Sequence, residues 1–203
     1  TLEGEQMTDT LVGVVVLARD VRSYWQRSLN EGDRTPPDCF SSNGITGVAI
    51  TDQGPGGVCA ACPLAKFGSD PKDQRGQACK QMKQLFILRP SNVLPDLLQV
   101  PPTSVKNARS YLTRLMAQGA PYYKVLTAVT LNRQKNPSGI SYSEAEFHFV
   151  RMLTPAEQEA ARNYHQMIRG LTELAPLDTQ PADTSAGSFD GGEEDSKEPI
   201  NLS

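Results

Sequence analysis

Four cysteines, which are all the cysteines of the chain, have the type and spacing of metal ligands. Two residues separate Cys59 from Cys62, while Cys39 lies twenty positions before this pair and Cys79 lies seventeen positions after it. A Cys-x-x-Cys knuckle with two outlying cysteines supplies the four thiolates of a closed, structural zinc site. The run "GPGG" at 54–57 comes just before the knuckle, where backbone amides have to approach the thiolates. We predict one bound Zn²⁺ here; an iron–sulfur cluster, disulfides and plain thiols are the alternatives.

Composition predicts a soluble, cytoplasmic protein with one main domain. A chain of 203 residues can bury a real core, so it does not need disulfides as a tiny secreted domain does. Apolar residues make up 38% and the mean hydropathy is -0.42, which indicates that part of the chain lies outside the core. The sequence contains neither a run of eighteen apolar residues nor a signal-peptide pattern, so we expect no membrane partner.

Stretches rich in β-branched and aromatic residues predict the strands. The stretch 94–100 also fits a turn of helix. The predicted strands span 9–25, 44–52, 84–90, 94–100, 122–134 and 141–153.

Two amphipathic stretches predict helices. The first spans 103–119, with Thr103 or Ser104 as its cap and Gly119 at its end. Its predicted inner face consists of Val105, Ala108, Leu112, Leu115 and Met116. The second helix begins at a capping box and extends to about residue 171. Thr154 and Glu157 form the box, because they have the spacing at which each side chain bonds the other's backbone amide.

This order of elements predicts a mainly β protein with helices (α+β), built as a small OB-like antiparallel barrel with a helix after the third strand. A different α+β sheet is the alternative. The zinc-binding loop is an insertion at about 39–80, within a domain spanning 1–174. Residues 175–203 lack any apolar periodicity, so we predict that they form a disordered acidic tail.

Charge is concentrated in the middle of the chain. Residues 61–140 contain twelve Lys or Arg and three Asp, a net charge of +9, whereas the whole chain carries -3. From residue 171 onward there are eight acids and one base, a net charge of -7. A basic body followed by an acidic tail is typical of a domain that binds polyanions, although a solvated charged surface has the same composition.

Aromatic residues lie beside basic ones, which favours single-stranded over duplex nucleic acid, because single strands are held by a basic groove and by rings on which bases stack. No stretch has the pattern of a major-groove recognition helix. The predicted nucleic-acid-binding side chains are Arg22, Trp25, Lys66, Phe67, Lys83, Arg89, Lys106, Arg109, Arg114, Tyr123 and Lys124. Four further rings, which equally suit a hydrophobic core, are Phe86, Tyr111, Phe147 and Phe149.

The opening strand "VGVVVLARDVRSYW", the four-cysteine insertion, the basic body and the acidic tail together resemble the phage and mobile-element single-stranded DNA-binding proteins of OB-fold type. The resemblance covers about 9–150 and the tail, and it is architectural. It implies that the barrel binds single-stranded DNA, that bound zinc is structural, and that the tail recruits replication or recombination proteins. The chain ends "EPINLS", without the hydrophobic end of the bacterial housekeeping members.

Catalytic motifs do not occur: the sequence has no G-x-G-x-x-G, P-loop, G-x-S-x-G or H-E-x-x-H. We expect structural roles for His148 and His165, and we predict a binding protein rather than an enzyme. The alternative function is that of a zinc-stabilised adaptor, whose basic patch binds an acidic partner in a transcription or replication complex.

Overall fold

The computed structural model describes residues 10–27, 35–90, 92–135, 139 and 141–174. The tail predicted from residue 175 lies outside the described residues. Within these ranges the chain forms one eight-stranded sheet and two helices, and no helix is long and apolar enough to cross a membrane. The elements are β1 (Thr10–Tyr24), β2 (Cys39–Ser41), β3 (Thr46–Ala49), β4 (Gly57–Val58), β5 (Lys80–Leu88), β6 (Asp96–Val100), α1 (Pro102–Ala117), β7 (Val125–Lys135), β8 (Ser141–Met152) and α2 (Pro155–Leu174).

The long strand β1 organises the sheet, in which every pair of strands is antiparallel. Along one edge β1 pairs with β5, and β5 pairs with β6. Along its other edge β1 pairs with β7 over residues 10–14 and with β2 over residues 22–24. In the gap between these two partners, side chains bond the backbone of β1: His165 Nδ1 lies 2.7 Å from the Val16 carbonyl oxygen, and Tyr122 bonds Ala18. His165 thus links α2 to the backbone of β1.

The two helices pack on opposite faces of the sheet and make two hydrophobic clusters. On one face α1 contributes Tyr111 and Leu115 to a cluster with Leu85 and Phe147. On the other face Ile168 of α2 packs with Val16, Leu17 and Phe86. The core prediction is confirmed for Phe86, Tyr111 and Phe147, which are 6%, 2% and 6% exposed.

Two of the predicted core residues are instead exposed. Phe149 is 51% exposed, because it belongs to the stretch 148–152 of β8, every residue of which is exposed. Met116 of α1 is 67% exposed, since it lies outside the buried stripe of the helix, whose last member is Leu115.

The sheet is open, which corrects the prediction of a closed small barrel. In the described part of the chain, β6 pairs only with β5 and β8 pairs only with β7, so these two edges do not meet. Side chains of α1 bond the backbone of β8 where a closing strand would have to pair. Ser104 Oγ accepts a hydrogen bond of 2.8 Å from the Ala145 amide, and Asn107 Nδ2 donates one of 3.1 Å to the Ala145 carbonyl. The helix thus satisfies both peptide groups of this residue at the edge.

The predicted bounds of the long strands and helices agree well with the structure, whereas only one of the two predicted helix caps is confirmed. The capping box at α2 is confirmed, because the Thr154 amide donates to Glu157 Oε2 at 2.7 Å and the Glu157 amide donates to Thr154 Oγ1 at 3.4 Å. The predicted cap of α1 is wrong: the helix begins at Pro102, no side chain caps it, and the Ser104 hydroxyl is used by β8. Strand β2 was missed because three residues are too few for a periodic pattern.

Candidate metal centre and nucleic-acid-binding groove

Three separate segments bring the four cysteines together, and we call the set Cys39, Cys59, Cys62 and Cys79 the cysteine cluster. The cluster surrounds a cavity of about 10 Å³, which is about the space of one water-sized sphere. Three of its thiols are buried and that of Cys62 is half-buried. All four are free thiols, so the disulfide alternative is not formed in this structure.

Tight turns bring the cluster's backbone close to its sulfur atoms. The Gly56 amide, in a turn where Gly56 adopts φ +60°, hydrogen-bonds the thiol of Cys39. In the knuckle itself, the Cys62 amide donates to the Cys59 carbonyl at 3.2 Å. A Cβ added to Gly47 would lie 2.9 Å from Cys39 Sγ and 3.8 Å from Cys59 Sγ, so only glycine leaves this side of the cavity open.

Arg22 of β1 points into the cysteine cluster, which the sequence alone did not suggest. Its guanidinium hydrogen-bonds Cys79 and lines the same cavity. One of its nitrogens, Nη1, is buried and finds no hydrogen-bond partner among the described residues. A buried guanidinium nitrogen without an acceptor is costly, so a negatively charged acceptor next to it would be favourable. The prediction placed Arg22 on the nucleic-acid-binding surface, whereas the structure places it against the thiols.

Burial disfavours the thiolate form of two of the four cluster cysteines. Burial raises the pKa of Cys79 to about 11 and raises the pKa of Cys39 above its ordinary value. A nucleophilic or redox-active cysteine needs the opposite, a lowered thiol pKa. Over the described ranges, no group of three or more His, Cys, Asp or Glu side chains is already placed so as to hold a metal ion. A metal ion would therefore have to displace the thiol protons and draw the sulfur atoms closer together.

A second feature is an open groove of about 800 Å³ between α1 and the segment 67–81, which we call the helix–loop groove. Its loop wall includes Phe67, whose ring is 81% exposed. Its helix wall is a polar and cationic stripe at helical spacing, comprising Lys106, Arg109, Ser110, Thr113 and Arg114. Four of the predicted nucleic-acid-binding residues therefore share this groove, namely Phe67, Lys106, Arg109 and Arg114.

The loop wall is folded back on itself beside the cysteine cluster. The Cys79 amide donates to the Leu64 carbonyl at 2.8 Å, and the Ser69 hydroxyl donates to the same oxygen at 2.9 Å. The Gly68 amide donates to the Gly76 carbonyl at 2.8 Å, and Gly68 adopts φ +85°. These bonds hold Phe67 at a turn whose two ends lie next to cluster cysteines.

Aspartates pair with some of the cations in and beside the groove. Asp20 pairs with Lys83 at 3.0 Å and with Arg109 at 3.4 Å. Lys83 is only 7% exposed, so the prediction that it belongs to the binding surface is wrong. Arg109 remains about half exposed. Lys80 lines the groove while bonding Asp70, and this bond holds the pKa of the Asp70 carboxyl below its ordinary value.

Trp25 lines a second groove that adjoins the first. This groove, of about 630 Å³, also contains Arg27, Lys72 and Lys80, and Lys80 lines both grooves. Trp25 Nε1 donates to the Thr35 carbonyl at 3.0 Å, which leaves the ring half-buried at the groove wall. The sequence missed Lys80 and Lys72; their only signal was that they belong to the basic segment that contains Phe67.

The remaining predicted residues lie apart from the two grooves. Arg89 pairs with Asp96 in a pocket beside α2. The Tyr123 ring stacks on His165 at 4.9 Å between centroids, and Lys124 is next to it. Lys66 is exposed beside Phe67 without lining either groove. The structure thus divides the predicted surface into a central set and a peripheral set.

No protein-family model matches the chain, and neither a curated protein nor a solved structure is significantly similar to it.

Proposed function

We propose that this protein binds single-stranded nucleic acid without sequence preference, in the manner expected of a single-stranded DNA-binding protein of replication or recombination. The observation that carries the proposal is the exposed ring of Phe67 facing the cationic stripe of α1 across an open groove. A ring on which a base stacks, opposite cations that contact phosphates, is the minimal arrangement for holding a single strand.

The groove is long enough for several nucleotides. Along α1, Lys106 and Arg114 are separated by about 12 Å at the rise of an α-helix. At Lys80 the helix–loop groove adjoins the groove that contains Trp25, which offers a second ring. A strand following both grooves would contact cations all along its backbone and stack at each end.

The order of the long strands supports the same function. Strands β6, β5, β1, β7 and β8 are neighbours in this order, with α1 between β6 and β7 along the chain. This is the order of an OB-fold opened between its third and fifth strands. The cysteine-rich segment then occupies the connection between the first two strands of that fold, one of the loops with which OB-folds bind oligonucleotides.

The test is the binding of labelled oligo-dT, measured by fluorescence anisotropy over a range of salt concentrations. The logarithm of the affinity should fall linearly with the logarithm of the salt concentration, with a slope of about -0.7 for each phosphate contacted. The double variant Lys106→Glu/Arg114→Glu should bind more weakly to every sequence and should have a slope shallower by about 1.4.

The matched control is Arg133→Glu/Lys135→Glu, which reverses two exposed cations of β7 that lie in neither groove. It makes the same change in net charge and should bind nearly as the unaltered protein does. Equal losses in the two double variants, or oligo-dT binding no tighter than duplex binding, would contradict the proposal.

A protein-binding adaptor is the second candidate, because the small strands beside the cysteine cluster expose apolar side chains. Ile45, Val48 and Val58 are 66%, 61% and 59% exposed on or next to β3 and β4. Clustered exposed apolar residues mark interaction surfaces. If oligo-dT fails to bind, this surface becomes the leading site.

A further inference from the structure

We propose that the cysteine cluster binds one Zn²⁺ as four thiolates, and that Arg22 offsets the negative charge of the resulting centre. This metal site goes beyond the proposed function, and each of the two can be refuted without refuting the other. Its ligands come from β2, the knuckle and the residue before β5, so the ion would tie together three segments far apart in the sequence.

The charge balance explains the position of Arg22. Binding Zn²⁺ to four thiols releases four protons to solvent and leaves a centre with a net charge of -2. The Arg22 guanidinium, already bonded to Cys79, has a buried Nη1 that is without an acceptor among the described residues. A thiolate next to it supplies both the acceptor and the opposite charge. The Gly56 amide, bonded to Cys39, stabilises a second thiolate in the same way.

The size of the cavity favours a single ion. A volume of about 10 Å³ accommodates one atom-sized occupant, and Zn²⁺ needs its sulfur ligands about 2.3 Å away. A Cβ at Gly47 would fill one side of the space, which is consistent with a small occupant.

The ion would also fix the loop wall of the helix–loop groove. The segment that carries Phe67 runs from Cys62 to Cys79, so both of its ends would be anchored on the same metal. Loss of the ion should therefore loosen the loop wall while α1 keeps its packing on the sheet, because α1 packs through a separate hydrophobic cluster.

The experiment measures metal content and affinity on the full chain. Protein purified without added metal should contain about one equivalent of zinc by elemental analysis. Replacement by Co²⁺ should give the intense visible bands of tetrahedral thiolate coordination. Cys62→Ser should lose these bands, whereas Ala61→Ser, which changes the exposed neighbouring residue and keeps all four thiols, should retain them.

Arg22 is tested by competition with a chelator. Arg22→Met should weaken zinc affinity about 10- to 100-fold, the usual effect of removing a group that supports a metal ligand, and Arg22→Lys should restore part of it. Zinc affinity unchanged in Arg22→Met would overturn the role of Arg22. Iron in place of zinc, or protein that stays metal-free and gives no cobalt bands, would overturn the site even if Cys62→Ser fails to fold.

Discussion

Phe67 is the residue whose substitution should most clearly weaken nucleic-acid binding while leaving folding stability nearly unchanged. Its ring is 81% exposed, so about a fifth of its surface is buried on folding. Full burial of a phenylalanine contributes about 1.5–3 kcal/mol, so Phe67→Ala should cost about 0.3–0.6 kcal/mol of folding stability. Stacking of one base contributes about 1–3 kcal/mol, so the same substitution should weaken oligo-dT binding about 5- to 150-fold.

The assay pairs a binding isotherm with a urea unfolding curve for each variant. Phe149→Ala is the matched control, because Phe149 is also an exposed phenylalanine but lies on β8 outside both grooves. It should bind as the unaltered protein does, and Phe67→Trp should keep most of the affinity, since any flat ring can stack.

Two results would refute the assignment of Phe67. The first is oligo-dT binding by Phe67→Ala within twofold of the unaltered protein. The second is a loss of similar size in Phe149→Ala, which would indicate that exposed rings contribute to binding wherever they lie.

Three further outcomes are expected. Ser104→Ala leaves a buried backbone amide of β8 without its acceptor and should lower the free energy of unfolding by about 1–3 kcal/mol, whereas Ser110→Ala on the exposed side of α1 should change it little. The Arg151 guanidinium and the capping amide lower the pKa of Glu157 to about 2, so its stabilising contribution is complete above its ordinary value of 4.5 and is lost as the pH falls toward 2. Urea midpoints at about pH 6 and about pH 3 should therefore differ less in Glu157→Gln than in the unaltered protein. Fluorescence of Trp25, the single tryptophan, should be quenched by saturating oligo-dT, and unchanged emission would exclude a base stacked there.

The sequence by itself determined the long elements, because their signals are local. Stretches rich in β-branched or aromatic residues predicted β1, β7 and β8 to within a few residues, and the apolar stripe of α1 predicted which of its residues face the core up to Leu115. The capping box needed only Thr154 and Glu157, three positions apart. Cysteine spacing likewise indicated four thiols that could meet. The strands, the stripe and the capping box depend on groups that are neighbours along the chain or repeat at the period of one element, whereas the cysteines were recognised by residue type and by the short spacing of Cys59 and Cys62.

Only the tertiary structure decided which charged side chains share a surface. Lys83 and Arg109 belong to the same basic segment, yet Asp20 pairs with both, and packing buries one while leaving the other half exposed. Arg22 lies beside the thiols because β1 pairs with β2, which carries Cys39. Exposure and distance depend on how faces of separate elements pack, and composition counts charges without placing them. That the sheet stays open was decided in the same way, by side chains of α1 that bond the backbone edge of β8.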